Sequence, residues 1–388
     1  MPIDLGSTRF TGIALRPYLE VRKKLGLPDN PPRVFDLIQM HPEVELSVID
    51  RLGVDVVGVF PLKPSWDIKI NAWKDWRFAD GVKAEVPEGY HPVKGKNGDL
   101  YICVQGKRVA KMPDNGFYYD ALLPPPAFEI ADFPKPEDVS LPPLLDEDFE
   151  FMQRRSNQLH QETDKAVIGS LEGLYLMPDG LRFEDWWTAL YAEKSYSRDC
   201  VNRKADLIIE TLKPYSESVG GDIFAVAFGE DFGTQRGEIF SPEVFREIYF
   251  PAYQRVFSWI HENTPWKVFM HSCGSVANLI DMFIESGVDI LNPVQTNAAN
   301  MDPRTLKRRF GQRITFWGGG VETQDILPFG TPRQVEDQVR KRLRIFGPGG
   351  GFVFAPVHNI QCGTPAENVL AAFGAAREDR MYPVDQEH

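Results

Sequence analysis

The chain has 388 residues, 43% hydrophobic and 25% charged, which is ordinary globular usage and argues against wholesale disorder. Its formal charge of −12 argues against general nucleic-acid binding and against a polybasic membrane surface. Four cysteines make no disulfide framework, no apolar run is long enough to span a bilayer, and the N-terminus lacks a signal-peptide pattern. A cytoplasmic protein with reduced thiols is expected. At this length, two or three domains or one α/β barrel with insertions are equally allowed.

Residues 34–52 read as one or two helices interrupted at Pro42, leading into a strand at 54–60. Residues 61–165 are rich in Pro, Gly, Trp and charge. A stretch that long reads as an inserted subdomain. Within it, 98–119 alternate enough for hairpins, while 123–126 and 133–143 read as extended linker. Residues 166–171 form the next expected strand.

From residue 223 the pattern is regular. A glycine-bounded apolar run at 223–229 predicts a buried strand. Ser241-Pro242 opens a helix, with a kink expected at Pro251. Strands follow at 267–271, 288–294, 314–317 and 352–357. Helices alternate with them: 276–286 closed by Gly287, one from Asp302-Pro303 to Gly311, and one from Thr331 to Gly347. Thr331 with Gln334, and Thr364 with Glu367, have capping-box spacing. Five strand–helix units in a row imply a parallel sheet covered by helices. Seven strands are clear and the eighth cannot be placed, so barrel closure is an inference. A doubly wound open sheet is the alternative, but no GxGxxG follows any strand.

Chemistry-bearing residues gather at strand ends. Met270-His271-Ser272-Cys273-Gly274 ends a strand, where residues i and i+2 share a face, so His271 and Cys273 aim together. A second cluster, His358-Asn359-Ile360-Gln361-Cys362, ends the last strand. Cys362 would complete a Cys2His set with an open fourth position, the pattern of catalytic zinc. The plainer reading is a small buried thiol and a histidine bonded to a carbonyl, and the residues alone leave both open. Glu230 and Asp231 follow the 223–229 strand as acid/base groups, substrate anchors or a further metal ligand. Glu322, after Gly318-Gly319-Gly320, Asn292 and Glu172 are weaker strand-end candidates. Trp66, Trp73, Trp76, Trp186 and Trp187 would line an aromatic pocket or simply pack. Cys103 and Cys200 read as structural.

Six segments in order, GEDFGTQRG, SPEVFREIYFPAYQRV, VFMHSCGSV, ESGVDILNPVQ, FWGGGVETQDIL and GGFVFAPVHNIQCGTPAENV, resemble the uroporphyrinogen decarboxylase superfamily. RVFDLIQ and RLGVDVVGV match more loosely. The resemblance implies a (β/α)8 TIM barrel with an N-terminal extension and a long insertion at 61–165. The arginine motif RQAGR of the decarboxylases is absent; STRFTGIALRPYLEV, with Arg9 and Arg16, stands there instead. That points to the superfamily's zinc-dependent methyltransferases, which work with a cobalamin (corrinoid) on a partner protein. The ligand set so implied is His271, Cys273 and Cys362. Asn359, Gln361, His358 and Glu322 would bind substrate, and Glu230 and Asp231 would serve catalysis. The expected reaction moves a methyl group from a small O-methyl compound, such as a phenyl methyl ether, to the corrinoid. The alternatives are methylcorrinoid:thiol transfer, metal-free decarboxylation and a non-catalytic corrinoid-binding barrel. No corrinoid-binding Asp-x-His-x-x-Gly occurs here, and the superfamily implies a homodimer.

Overall fold

The structure is a computed structural model that describes residues 1–121, 133–171 and 173–381. The expected linker at 123–126 and Glu172 lie outside them. Seven strands form one parallel sheet in chain order: β1 (Val56–Val59), β2 (Ala166–Ser170), β3 (Ala225–Gly229), β4 (Lys267–His271), β5 (Ile290–Asn292), β6 (Thr315–Trp317) and β7 (Phe352–Val353). The N-terminal residues 2–4 fill the eighth place. Phe354 N donates to Pro2 O at 2.9 Å, Asp4 N donates to Phe354 O at 2.8 Å, and Asp55 N donates to Ile3 O at 2.8 Å. The first few residues therefore bridge β7 to β1. Their eighth-strand role could not be read from a segment this short.

Side-chain alternation divides each strand between two cores. Phe269 of β4 packs inside the barrel with Ile168, Ala225, Ala227, Ile290 and Trp317. Val268 and Met270 face the helices instead. Residue 271 is in phase with Phe269, so His271 points into the barrel mouth. The small side chains of β3 leave room for the larger ones opposite. Trp317 Nε1 donates to Asp4 Oδ2 at 2.8 Å, tying the interior to the closing segment.

Expected helix starts at Asp302 and Thr331 are present, with side-chain caps on Thr305 N and Gln334 N. Thr364 does not cap. The last helix, Ala366–Glu378, begins one residue later, and Glu367 pairs with Lys24. The expected kink at Pro251 takes the form of a π-turn at Phe245–Tyr249, where Phe250 N reaches back to Phe245 O. Proline has no N–H for the ordinary i→i−4 bond, and the wider turn lies just before it. The reading of 34–52 as helix needs correction. Val34–Asp36 pairs antiparallel with His41–Pro42, and only Leu46–Leu52 is helical. The Asp36 carboxylate accepts from Ile38 N and Gln39 N and so makes the intervening turn.

Among the described residues, 61–165 hold two small antiparallel sheets. One joins Trp73–Arg77 to Lys83–Pro87. In the other, Leu100–Val104 and Lys107–Met112 form the expected hairpin, and Gln105 and Gly106 both take positive φ at its turn. A separate apolar cluster including Phe78, Val86, Tyr90 and Ile102 supports it, with Trp66 and Trp76 at its edge. The helix Asp146–Glu162 packs on β1, β2 and Lys194–Val219, so it belongs to the barrel shell. Among the described residues no helix is long and apolar enough to cross a membrane.

Candidate active site at the barrel mouth

A cavity of about 790 Å³ opens at the C-terminal ends of the strands. That is where barrel enzymes place their chemistry. His271, Asp231, His358, Phe10, Trp186 and Tyr249 are in its wall.

Two residues of its wall, His271 and His358, form a cluster with Cys273. One ligand atom from each of His271, Cys273 and His358 lies within 4.8 Å of the other two. Cys273 Sγ stands 3.2 Å from His271 Nε2. The strand register delivers the first two residues, as the i, i+2 spacing predicts. Gly274 closes the turn with φ +85°, and a Cβ there would strike the backbone of Gly233. Only glycine lets these two loops pass so closely.

The network fixes the His271 tautomer. Asn292 Nδ2 donates to Trp317 O at 3.0 Å, so its Oδ1 is the acceptor 2.6 Å from His271 Nδ1. The proton is therefore on Nδ1, and the Nε2 lone pair faces Cys273. Phe10 stacks on the imidazole at 3.6 Å with the rings 14° apart. Burial pushes the His271 pKa down to about 4, and His358 adds to the effect. Burial also pushes the Cys273 thiol up, and the Asp231 carboxylate reinforces that shift. Left to themselves, these groups are neutral: a protonated thiol, an imidazole whose Nε2 lone pair accepts from it, and a second imidazole. A cation at this point reverses the balance, because it favours thiolate and holds imidazole neutral.

Sequence reasoning assigned the third ligand to Cys362, and the structure brings His358 there instead. β7 ends at Val353, and residues 354–362 run irregularly past the barrel mouth. The Cys362 thiol faces Arg16, which itself pairs with Asp80 at 2.7 Å. Nothing in the chain's alternation could have shown which of residues 358 and 362 turns inward.

The two adjacent carboxylates behave differently. Asp231 is half exposed, accepts from Cys273 N at 2.8 Å and stands 3.8 Å from His271 Nε2. Glu230 turns away from the histidine. Its carboxylate accepts from Leu176 N, Met177 N and the Tyr253 hydroxyl, and desolvation raises its pKa. Asn359 reaches the cavity, and its Oδ1 also accepts from Gly12 N at 2.8 Å. Gln361 is exposed and outside the cavity wall. Glu322 also lies outside it. Its carboxylate accepts from the amides of Gln324, Asp325 and Ile326, because it caps the short turn that follows. Trp186 and Trp187 line the cavity, whereas Trp66, Trp73 and Trp76 do not.

Three residues missed by sequence reasoning matter to the site. Phe10 covers His271. Asp36, paired with Arg9 at 3.1 Å, enters the wall. His41 is buried with neither ring nitrogen hydrogen-bonded, and its pKa falls to about 4, chiefly by burial. All three precede β1, and only Asp36 lies in a segment, RVFDLIQ, that resembles the family.

The family model for uroporphyrinogen decarboxylase (URO-D) matches residues 123–379, well over half of the chain. The chain belongs to the uroporphyrinogen decarboxylase family. A methylated-thiol–coenzyme M methyltransferase from Methanosarcina mazei is 24% identical over 140 residues. That match covers 36% of this chain and 34% of the relative, so the chain spans about a third of the relative it matches. A solved methyltransferase from the same organism shares the fold, with a TM-score of 0.59 at 15% identity, over 98% of this chain and 94% of that one. The expected TIM-barrel class is thus met.

Proposed function

We propose that this URO-D family member is a metal-dependent methyltransferase that moves a methyl group between a small substrate and a corrinoid carried by a partner protein. The observation that carries the reading is the convergence of His271, Cys273 and His358 beside the cavity. Two imidazoles and one thiol, with a fourth position facing the cavity, suit zinc in its catalytic form. When bound there, zinc would supply Lewis-acid stabilisation of the substrate heteroatom that loses or gains the methyl group. The protein's own residues do the rest. Asn292 holds His271 in the ligating tautomer, and Phe10 fixes its plane. Asp231 anchors the Cys273 backbone and stands beside the open position. The aromatic wall excludes water and receives the apolar part of the substrate.

The preferred substrate is an O-methyl compound of the phenyl methyl ether type, because one wall of the cavity is aromatic. Methyl transfer involving a thiol is the second reading, and the likeness to the Methanosarcina methylated-thiol–coenzyme M methyltransferase favours it. The test is zinc content together with methyl transfer to cob(I)alamin from anisole or from dimethyl sulfide. Stoichiometric zinc with zinc-dependent transfer from anisole supports the reading. Full activity in chelator-treated protein overturns the metal role, and transfer from dimethyl sulfide alone selects the second reading.

A further inference from the structure

Glu230 is the first residue past β3, beside Asp231, and would pass for a catalytic acid or base. Its hydrogen bonds give it another task. Its backbone N–H donates to His271 O at 3.1 Å, but its side chain turns across the mouth to the loop after β2. There Oε2 accepts from Leu176 N at 2.9 Å and from the Tyr253 hydroxyl at 2.5 Å, and Oε1 accepts from Met177 N at 3.1 Å. In the same wall, Trp186 Nε1 donates to the Tyr249 hydroxyl at 2.7 Å. A carboxylate has about four acceptor sites. Two amides and one hydroxyl occupy three of them, so most of the carboxylate's acceptor capacity is committed to the loop and to Tyr253.

The same loop is fastened a second time. Lys204 is fully buried, and its Nζ donates to Asp179 Oδ2 at 2.7 Å and to Ser140 O at 3.2 Å. It also stands 4.8 Å from the Tyr175 ring, whose hydroxyl donates to Asp179 Oδ1. Around these two fastenings, Tyr175, Met177 and Leu181 face the cavity, and Trp186 and Tyr249 extend the same wall.

We propose that Glu230 is a positioning residue that, with Lys204, holds the 173–181 loop in the shape that accepts a flat aromatic ring. The proposal rests on the reading that this cavity binds the methyl donor. Glu230 acts on fit and not on the metal cluster. Glutamine at this position would turn its NH2 group toward the Leu176 or the Met177 amide, which can only donate, so the loop would lose part of its seat.

The experiment measures anisole binding to metal-free protein by calorimetry, alongside zinc stoichiometry and the visible spectrum of the cobalt(II)-substituted protein. Wild type should bind anisole more tightly than dimethyl sulfide. Glu230→Gln should weaken anisole binding roughly 10-fold, with zinc content and the cobalt spectrum unchanged. Tyr253→Phe removes one donor and keeps the carboxylate; it should give a smaller loss in the same direction, and it covers failure of the first variant to fold. Unchanged anisole affinity with reduced turnover would make Glu230 an acid or base and overturn the proposal. An altered cobalt spectrum would make it a ligand, with the same consequence. Equal affinity of wild type for dimethyl sulfide would remove the aromatic wall from the argument. Loss of the methyltransferase reading would look different: anisole would bind, but no zinc-dependent transfer would follow.

Discussion

The ends of β4 and β7 carry similar residues and obey different rules. At β4 the chain remains a strand through His271, and the two-residue period carries Cys273 to the same face. At β7 the continuous strand ends at Val353, five residues before His358, and only isolated bridges at Phe354, Pro356 and Ile360 follow it. Beyond that point the period has no authority. His358 turns into the cavity and Cys362 turns toward Arg16. Spacing arguments hold as far as the continuous ladder that enforces them; isolated bridges do not keep the period.

Replacing each cysteine in turn gives the largest contrast. Cys273→Ala should lower zinc affinity by at least ~100-fold, since losing a ligand costs more than losing an outer partner. Cys362→Ser should keep full zinc stoichiometry in equilibrium dialysis. The reverse result would restore the thiol of the last motif as the ligand. Gly274→Ala comes next: it combines a positive φ with a backbone collision and should cost roughly 3 kcal/mol in urea unfolding. An unperturbed midpoint would mean that the β4 turn is not as tight as its geometry shows. Asn292→Leu removes the acceptor that sets the His271 tautomer. It should weaken zinc about 10–100-fold while leaving the fold intact by circular dichroism.

The smallest effect belongs to the β7 side. His41 lies behind Gly12 and feels His358, Arg9 and Asp36, with Asp36 Oδ2 3.8 Å from its Nδ1. Its folded pKa lies below its unfolded value of 6.5, so the folded state prefers the neutral ring. That stability is complete above pH 6.5 and drains away as pH falls toward 4. His41→Leu should therefore flatten the acid limb of the stability curve by about 2 kcal/mol relative to wild type. Parallel acid limbs in the two proteins would assign the acid sensitivity elsewhere.

The same contrast explains what was legible in the sequence. Helix starts at Asp302 and Thr331, the strand–helix rhythm after residue 223 and the pairing of His271 with Cys273 are local facts, written in caps and periods. Glu322 misled because a glycine-rich approach and a helix-capping carboxylate look alike in one dimension. Glu230 and Asp231 are neighbours in sequence, yet one serves a distant loop and the other the cluster. Phe10, Asp36 and His41 reach the site through closure of the barrel, a long-range event with no local signature. The inserted segment gave up its hairpin, because a turn is local, but not its sheet partners.

Closure itself has a temporal consequence. Ile3 meets Phe354 across some 350 residues of chain, and Phe10 and Gly12 follow directly behind it onto His271 and Asn359. Contacts of such sequence separation form late, after the cost of gathering the chain has been met. A nascent chain emerging from the ribosome holds its first ten residues idle until nearly all the rest has been made. The seal of the barrel and the finishing of the pocket then occur as one event, so in a refolding experiment the return of ligand binding should lag behind the return of helix.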